Sequence, residues 1–185
     1  MQSYLTGQLL IAMPDLKDPN FSRAVLYICE HSEQGAMGVA INKPLDIGLA
    51  DIFQQIDINV ENSKVSQQFV FHGGPVQQER GFILHSPLGK WQSSLHVTDE
   101  IAITTSQDVL NSIAQGNEPQ QSIIALGYAG WGAGQLEKEI LDNSWLHCPA
   151  SSELLFDTPF DLQWKSAVAS IGIDVAQLSS TVGHA

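Results

Sequence analysis

Read for the spacing of its apolar positions, the chain opens as strand and turn. Apolar runs over 8–13, 24–30 and 38–42 are short and bounded by polar, glycine or proline residues, the punctuation of β-strands, with a loop over 14–22. Leu49, Ile52, Phe53 and Ile56 then recur at helical spacing, which predicts an amphipathic helix over 47–56 behind the Lys43-Pro44 break, with Asp46 as its cap. Beyond a polar stretch over 57–68, short strands are predicted at 69–72 and 81–86, joined as a long-loop hairpin by 73–80. A strand over 100–104 leads into a helix over 106–115, where Ser106 caps, Val109, Leu110 and Ile113 share a face, and Gly116 stops the turn. A buried strand over 122–128 runs into a glycine-rich bend over 127–134 and a helix over 135–142. Helices over 151–156 and 160–171 follow, and the polar tail over 175–185 is expected to fray. Strands and helices do not alternate as a doubly wound sheet requires, so the class is α+β.

Length and charge narrow the picture. A chain of 185 residues suits one domain spanning 1–185, with no linker, repeat or low-complexity tract to divide it. Eight basic residues oppose twenty acidic ones, a formal charge of −12, and the basic residues form no local run. Nucleic-acid affinity rests on Lys and Arg releasing counterions, so direct DNA or RNA binding is not expected, nor is attraction to an anionic membrane. No apolar run is long enough to span a bilayer, and no Lys or Arg precedes the first apolar stretch as an export signal requires; a cytoplasmic location is expected. Cys29 and Cys148 stand outside any C-x-x-C spacing and read as reduced, packed thiols.

Four places carry residues suited to chemistry. In GYAGWGAGQLE (127–137), Gly130, Gly132 and Gly134 precede a helix start, where backbone amides can hold an anion. The spacing is neither the dinucleotide fingerprint nor a phosphate loop, and Glu137 and Glu139 already answer the helix dipole; the alternative is a tight bend seating Trp131. In HGGPV (72–76), His72, Gly73 and Gly74 form a second candidate, with His85 across the expected hairpin. Two imidazoles could begin a metal site, but no third ligand stands at a recognisable spacing, so no metal and no other cofactor is expected; His72 reads instead as a partner of loop backbone. Arg23 and Arg80 are the only arginines, and each is read either as a clamp for an anionic group or as fixing its loop through an acid such as Asp18 or Glu79. Cys29 lies beside Glu30 and His31, yet strand alternation points neighbours to opposite faces, which favours a core thiol over a thiolate and base. No nucleophile elbow or triad spacing is present.

The motifs GQLLIAMP (7–14), DPNFSRA (18–24), GVAINKP (38–44), HGGPV (72–76) and GYAGWGAGQLE (127–137), with NSW (143–145) and the closing GHA, resemble the bacterial YqgE/AlgH family nearly end to end. The resemblance implies a branched, mainly antiparallel sheet curled into a pseudo-barrel with flanking helices, in a cytoplasmic protein. It implies fold and not reaction.

The leading expectation is a non-catalytic binding module for an unidentified protein partner or small ligand, with contacts over 72–80 and 127–134. An alternative is an enzyme of unknown class, with Arg23 or Arg80 holding an anionic substrate and His72 or His85 moving a proton; it requires these groups to share one cleft. A further alternative, indirect transcriptional regulation, requires a partner to supply the missing basic surface. Nothing in the sequence sets an oligomeric state.

Overall fold

The computed structural model describes residues 4–14, 16, 21–60 and 63–174, with 63 and 66 by backbone alone. Asp18 and the tail over 175–185 lie outside the described residues. Strands β1 (Gln8–Ala12), β2 (Val25–Ser32) and β3 (Gly35–Ala40) form an antiparallel meander. β3 starts earlier than the apolar run over 38–42 suggests, because its ladder with β2 continues out to the Ser32↔Gly35 pair. Next come β4 (Pro44–Gly48), α1 (Leu49–Gln55), the short α2 (Ser63–Ser66), β5 (Phe69–His72), β6 (Val76–Ser86), β7 (Ser94–His96), β8 (Ala102–Thr104), α3 (Gln107–Ala114), β9 (Gln121–Gly132), α4 (Gln135–Leu141), β10 (Trp145–Pro149), a π-helical turn (Glu153–Asp157) and α5 (Phe160–Ser170).

The ten strands make one curled, mainly antiparallel sheet in the order β10-β1-β2-β3-β9-β6-β8-β7, with β4 and β5 branching from β9. The expected hairpin of 69–72 with 81–86 does not form. β9 lies between those strands instead, parallel to β5 and antiparallel to β6, so Leu126 stands between His72 and Gly81. His72 and His85 are therefore on different sides of β9. The helix caps differ as well: Asp46 lies in β4, and the Gly48 N–H that opens α1 donates to Asp51 Oδ2 at 2.9 Å. Ser106 does stand at the start of α3, but its hydroxyl donates to Asp108 instead of accepting from the helix backbone.

Three apolar clusters explain why these strands are so heavily apolar. Val25, Tyr27 and Cys29 of β2 face an inner cluster closed by Trp164, Ala167 and Val168 of α5, while Leu26 and Ile28 point outward to a second cluster with Trp131, Leu136 and Trp145. β2 is thus covered on both faces, which produces a near-continuous apolar run in place of alternation. On the other half of the sheet, Leu49 and Phe53 of α1 and Val109 and Ile113 of α3 pack on Val70, Ile83 and Ile124. Each fully buried Leu, Ile or Phe contributes about 1.5–3 kcal/mol, so an ionised residue at Leu26 or Ile124 would disrupt its cluster.

Over residues 127–132 the glycine-rich segment is a continuation of β9 and not a bend; the chain turns only at 133–134, ahead of α4. Gly127 takes φ +81° and shifts the phase of the strand: Ile123 and Ala125 point to the inner cluster before it, whereas Tyr128 points inward and Ala129 and Trp131 point outward after it. One left-handed residue lets a single strand serve two outer clusters that require opposite parity.

Candidate functional site

Gly73 and Gly74 are where the HGGPV and GYAGWGAGQLE motifs meet. A Cβ on Gly73 would stand 2.3 Å from Gly127 O, and one on Gly74 would stand 2.1 Å from the carbonyl carbon of Tyr128. Gly73 N–H donates to Leu126 O at 2.8 Å, and Gly73 O accepts from Ala40 N–H at 2.8 Å. The space at these two α-carbons is filled by the backbone of β9, so both glycines tie β3, β5 and β9 together. Gly130 and Gly132 lie within β9, and Gly132 N–H donates to Gln135 Oε1 at 2.9 Å. Gly134, at φ +74°, only turns the chain into α4. None of the three lines a described cavity with Arg23, His72 or Arg80.

The acidic residues of α4 are engaged by side chains instead of answering the helix dipole alone. Glu137 Oε1 accepts from His31 Nε2 at 2.9 Å, and that hydrogen bond holds its carboxyl below the usual carboxylate range. Glu139 Oε1 accepts both indole N–H groups, from Trp131 at 3.1 Å and Trp145 at 3.0 Å, and Gln135 donates to Oε2 at 2.8 Å.

Arg80 rises from a bulge in β6 and lines a cavity of about 380 Å³ with Gln77, Phe82, Ser94, Thr105 and Tyr128. Its guanidinium donates to Gln77 Oε1 and Thr105 Oγ1 and lies 5.8 Å over the Phe82 ring. Among the described residues it pairs with no carboxylate, and the expected partner Glu79 is not used. His72 is half-buried and is fixed through its backbone N–H, which donates to Lys43 O at 2.7 Å. His85 is fully buried. Because Pro87 O can only accept, His85 Nδ1 carries the proton (3.0 Å), Nε2 accepts from Thr104 Oγ1 (2.7 Å), and Thr104 in turn accepts from Ser94 (2.7 Å). Burial lowers the His85 pKa, and the relay uses both ring nitrogens. Cys29 is also buried, its thiol pushed well up by that burial. Among the described residues no three His, Cys, Asp or Glu side chains are grouped to hold a metal.

Arg23 stands elsewhere. It lines a cavity of about 300 Å³ with Asn42, Lys43, Phe160, Asp161, Leu162, Trp164 and Lys165. Three of the eight basic residues of a chain with formal charge −12 thus face one cavity, a convergence across sequence distance that a search for local runs misses. None of the three is ion-paired among the described residues, and Asp161 is the one carboxylate in the lining. Arg23 takes φ +52°, unusual for a residue with a Cβ, and Asn42 holds it there: Nδ2 donates to Arg23 O at 3.0 Å while Oδ1 accepts from Val25 N–H at 2.9 Å. The guanidinium lies 4.7 Å over Trp164, whose indole N–H is anchored on Ala12 O at 2.8 Å. Lys43 donates to Ser22 O; burial and then the nearby Arg23 charge lower its pKa. The first turn of α5, at the positive end of that helix, completes the wall. Arg23 of the DPNFSRA motif and Asn42 and Lys43 of the GVAINKP motif therefore converge at this cavity, while Arg23, His72, Arg80 and His85 do not share one cleft.

Comparison with known proteins agrees with this architecture. The AlgH-like family model matches residues 9–176. A UPF0301 protein of Chromobacterium violaceum is 52% identical over 98% of this chain and 97% of its own, and one of Hahella chejuensis is 54% identical over 99% and 97%. The solution structure of the AlgH protein from Pseudomonas aeruginosa superposes with a TM-score of 0.80 at 45% identity, covering 97% of this chain and 96% of that one. A Corynebacterium diphtheriae protein at 19% identity shares the fold, with a TM-score of 0.72 over 91% of this chain and 88% of its own. With a curled, branched sheet and matches that span almost the whole chain, this protein belongs to the AlgH-like family.

Proposed function

We propose that this chain is a non-catalytic binding module that holds a small anion in the Arg23–Lys43–Lys165 cavity. The observation that carries this reading is three cations around one cavity in a strongly acidic protein, unpaired among the described residues. Like charges gathered in a partly buried space repel, and the lowered pKa of Lys43 reflects its burial and then that repulsion. An anion bound there would offset that repulsion and, as an opposite charge beside the ammonium, draw the lysine pKa back up. A unit charge about 4 Å away is worth roughly 1 kcal/mol in bulk water and roughly 4 kcal/mol at an effective dielectric near 20. Three such contacts outweigh the single opposing carboxylate of Asp161. At about 0.1 M salt the Debye length is about 10 Å, so the more distant acidic residues are screened while the cavity cations are not.

The proton-transfer groups considered from sequence do not reach this cavity, since His72 and His85 are absent from its lining. Titration of the protein with inorganic phosphate at that salt, followed by amide NMR, tests the reading. Saturable shifts over residues 23, 42–43 and 160–165, weakened in Lys43→Met and Lys165→Met, are expected. Absence of any saturable shift in that set would sink the proposal.

A further inference from the structure

We infer that the anion taken by this cavity is carried on an aromatic ring. The inference rests on reading the cavity as an anion site, and it comes from a separate observation, the apolar ledge beside the cations. Phe160 and Leu162 line the cavity directly, and Leu162 is 48% exposed. Phe160 meets Phe69 edge-on with ring centroids 5.1 Å apart and Phe71 at 6.0 Å, and Phe69 and Phe71 are 6.3 Å apart. Phe69 is 52% exposed, so half of a large apolar side chain is left in water one ring away from the charged wall. The two surfaces are joined by the backbone: β5 carries Phe69 and Phe71, Phe71 is paired with Pro44, and the next residue, His72, hydrogen-bonds Lys43 O.

Ligand sites of this kind combine mostly apolar walls with a few placed charges that fix orientation. Here the charges stand on Arg23, Lys43 and Lys165, while Phe160 and Leu162 in the same lining carry the apolar surface on to Phe69 and Phe71. A bare inorganic anion would leave that ledge in water. A ring bearing the anionic group would cover Phe69 and Phe160 by offset or edge-to-face contact. The ligand class is therefore a small aryl anion, such as an aryl phosphate or an aryl carboxylate.

The test compares methyl phosphate with phenyl phosphate, which carry the same charged group, by amide NMR titration of the full chain. Phenyl phosphate is expected to bind about tenfold tighter, the factor that one aromatic contact supplies. Phe69→Ser should reduce phenyl phosphate to the affinity of methyl phosphate while leaving methyl phosphate itself unchanged, and Phe69→Leu provides the same comparison if the serine variant folds poorly. Equal affinity of the two esters, or an advantage that survives loss of the Phe69 ring, would overturn the inference and leave the anion site standing. Failure of both esters to bind would overturn the inference and the anion reading together.

Discussion

His31 Nε2 lies 2.9 Å from Glu137 Oε1, and its proton is on that nitrogen because Nδ1 accepts the backbone N–H of Leu5 at 2.9 Å. The imidazole thus joins the start of the chain to α4 as a neutral bridge. Glu137 has its pKa lowered in the folded state by this bond. Its stabilisation is therefore complete above the ordinary carboxylate range and is lost as pH falls through the lower, folded value.

Glu137→Gln keeps an acceptor for His31 but cannot titrate. Urea unfolding should show a stability difference between the native protein and this variant that is largest near neutral pH and shrinks below about pH 4. Glu137→Ala leaves a buried ring N–H without a partner, and should cost about 1–3 kcal/mol at neutral pH. A difference that does not vary with pH would contradict the assignment.

Glu139 holds two indole N–H groups with one oxygen. Both tryptophans are buried, so Glu139→Ala should cost about 2–4 kcal/mol and alter the fluorescence of Trp131 and Trp145. Glu139→Gln retains one carbonyl acceptor and should recover most of that loss. Equal destabilisation by the two variants would mean that the charge, not the acceptor geometry, matters.

The glycines sort by what surrounds them. Gly74→Ala would drive a Cβ into the Tyr128 backbone, an overpacking that should cost roughly 3 kcal/mol or more. Gly134→Ala meets nothing within 4 Å and is opposed only by its left-handed φ, an effect of about 1–2 kcal/mol. Thermal unfolding of the two variants should rank them in that order.

His85 should remain neutral below the usual histidine value, because burial outweighs the hydrogen bond to Pro87 O that favours the cation. Its ring proton resonances should therefore titrate below pH 6.5. The unfolded chain binds that proton more readily, so His85 contributes a loss of stability as pH falls from about 6.5. A ring that titrates at or above the ordinary value would refute the Thr104–His85–Pro87 arrangement.

The sequence disclosed elements more readily than their neighbours. The helices now placed at Gln107–Ala114, Gln135–Leu141 and Phe160–Ser170 announce themselves through local spacing and stop signals. β7 does not, because Ser94, Leu95 and His96 are all exposed and show no alternation. β4 was obscured by Pro44 and by a helical pattern that starts just after it. The mistaken hairpin has a topological cause: β9, the strand that separates β5 from β6, is distant from both in sequence, and no turn motif encodes an insertion of that kind. The candidate site shows the same limit. Arg23 is conspicuous as one of two arginines, but Lys43 and Lys165 are ordinary lysines until the fold brings the entry to β2, the link between β3 and β4, and α5 together. Gly73 and Gly74 are conspicuous for a different reason, since the close approach of backbones and the close approach of a ligand both require glycine.

β9 pairs with β3, β5 and β6, yet it comes after all of them in the chain. During synthesis at about 5–20 residues per second, the apolar edges of those earlier strands must wait on the order of seconds for the strand that joins them. A message truncated before residue 121 would consequently yield three separate strand groups, β1–β3, β4–β5 and β6–β8–β7, with nothing to join them, and such fragments should be removed by proteolysis instead of accumulating as a smaller folded product.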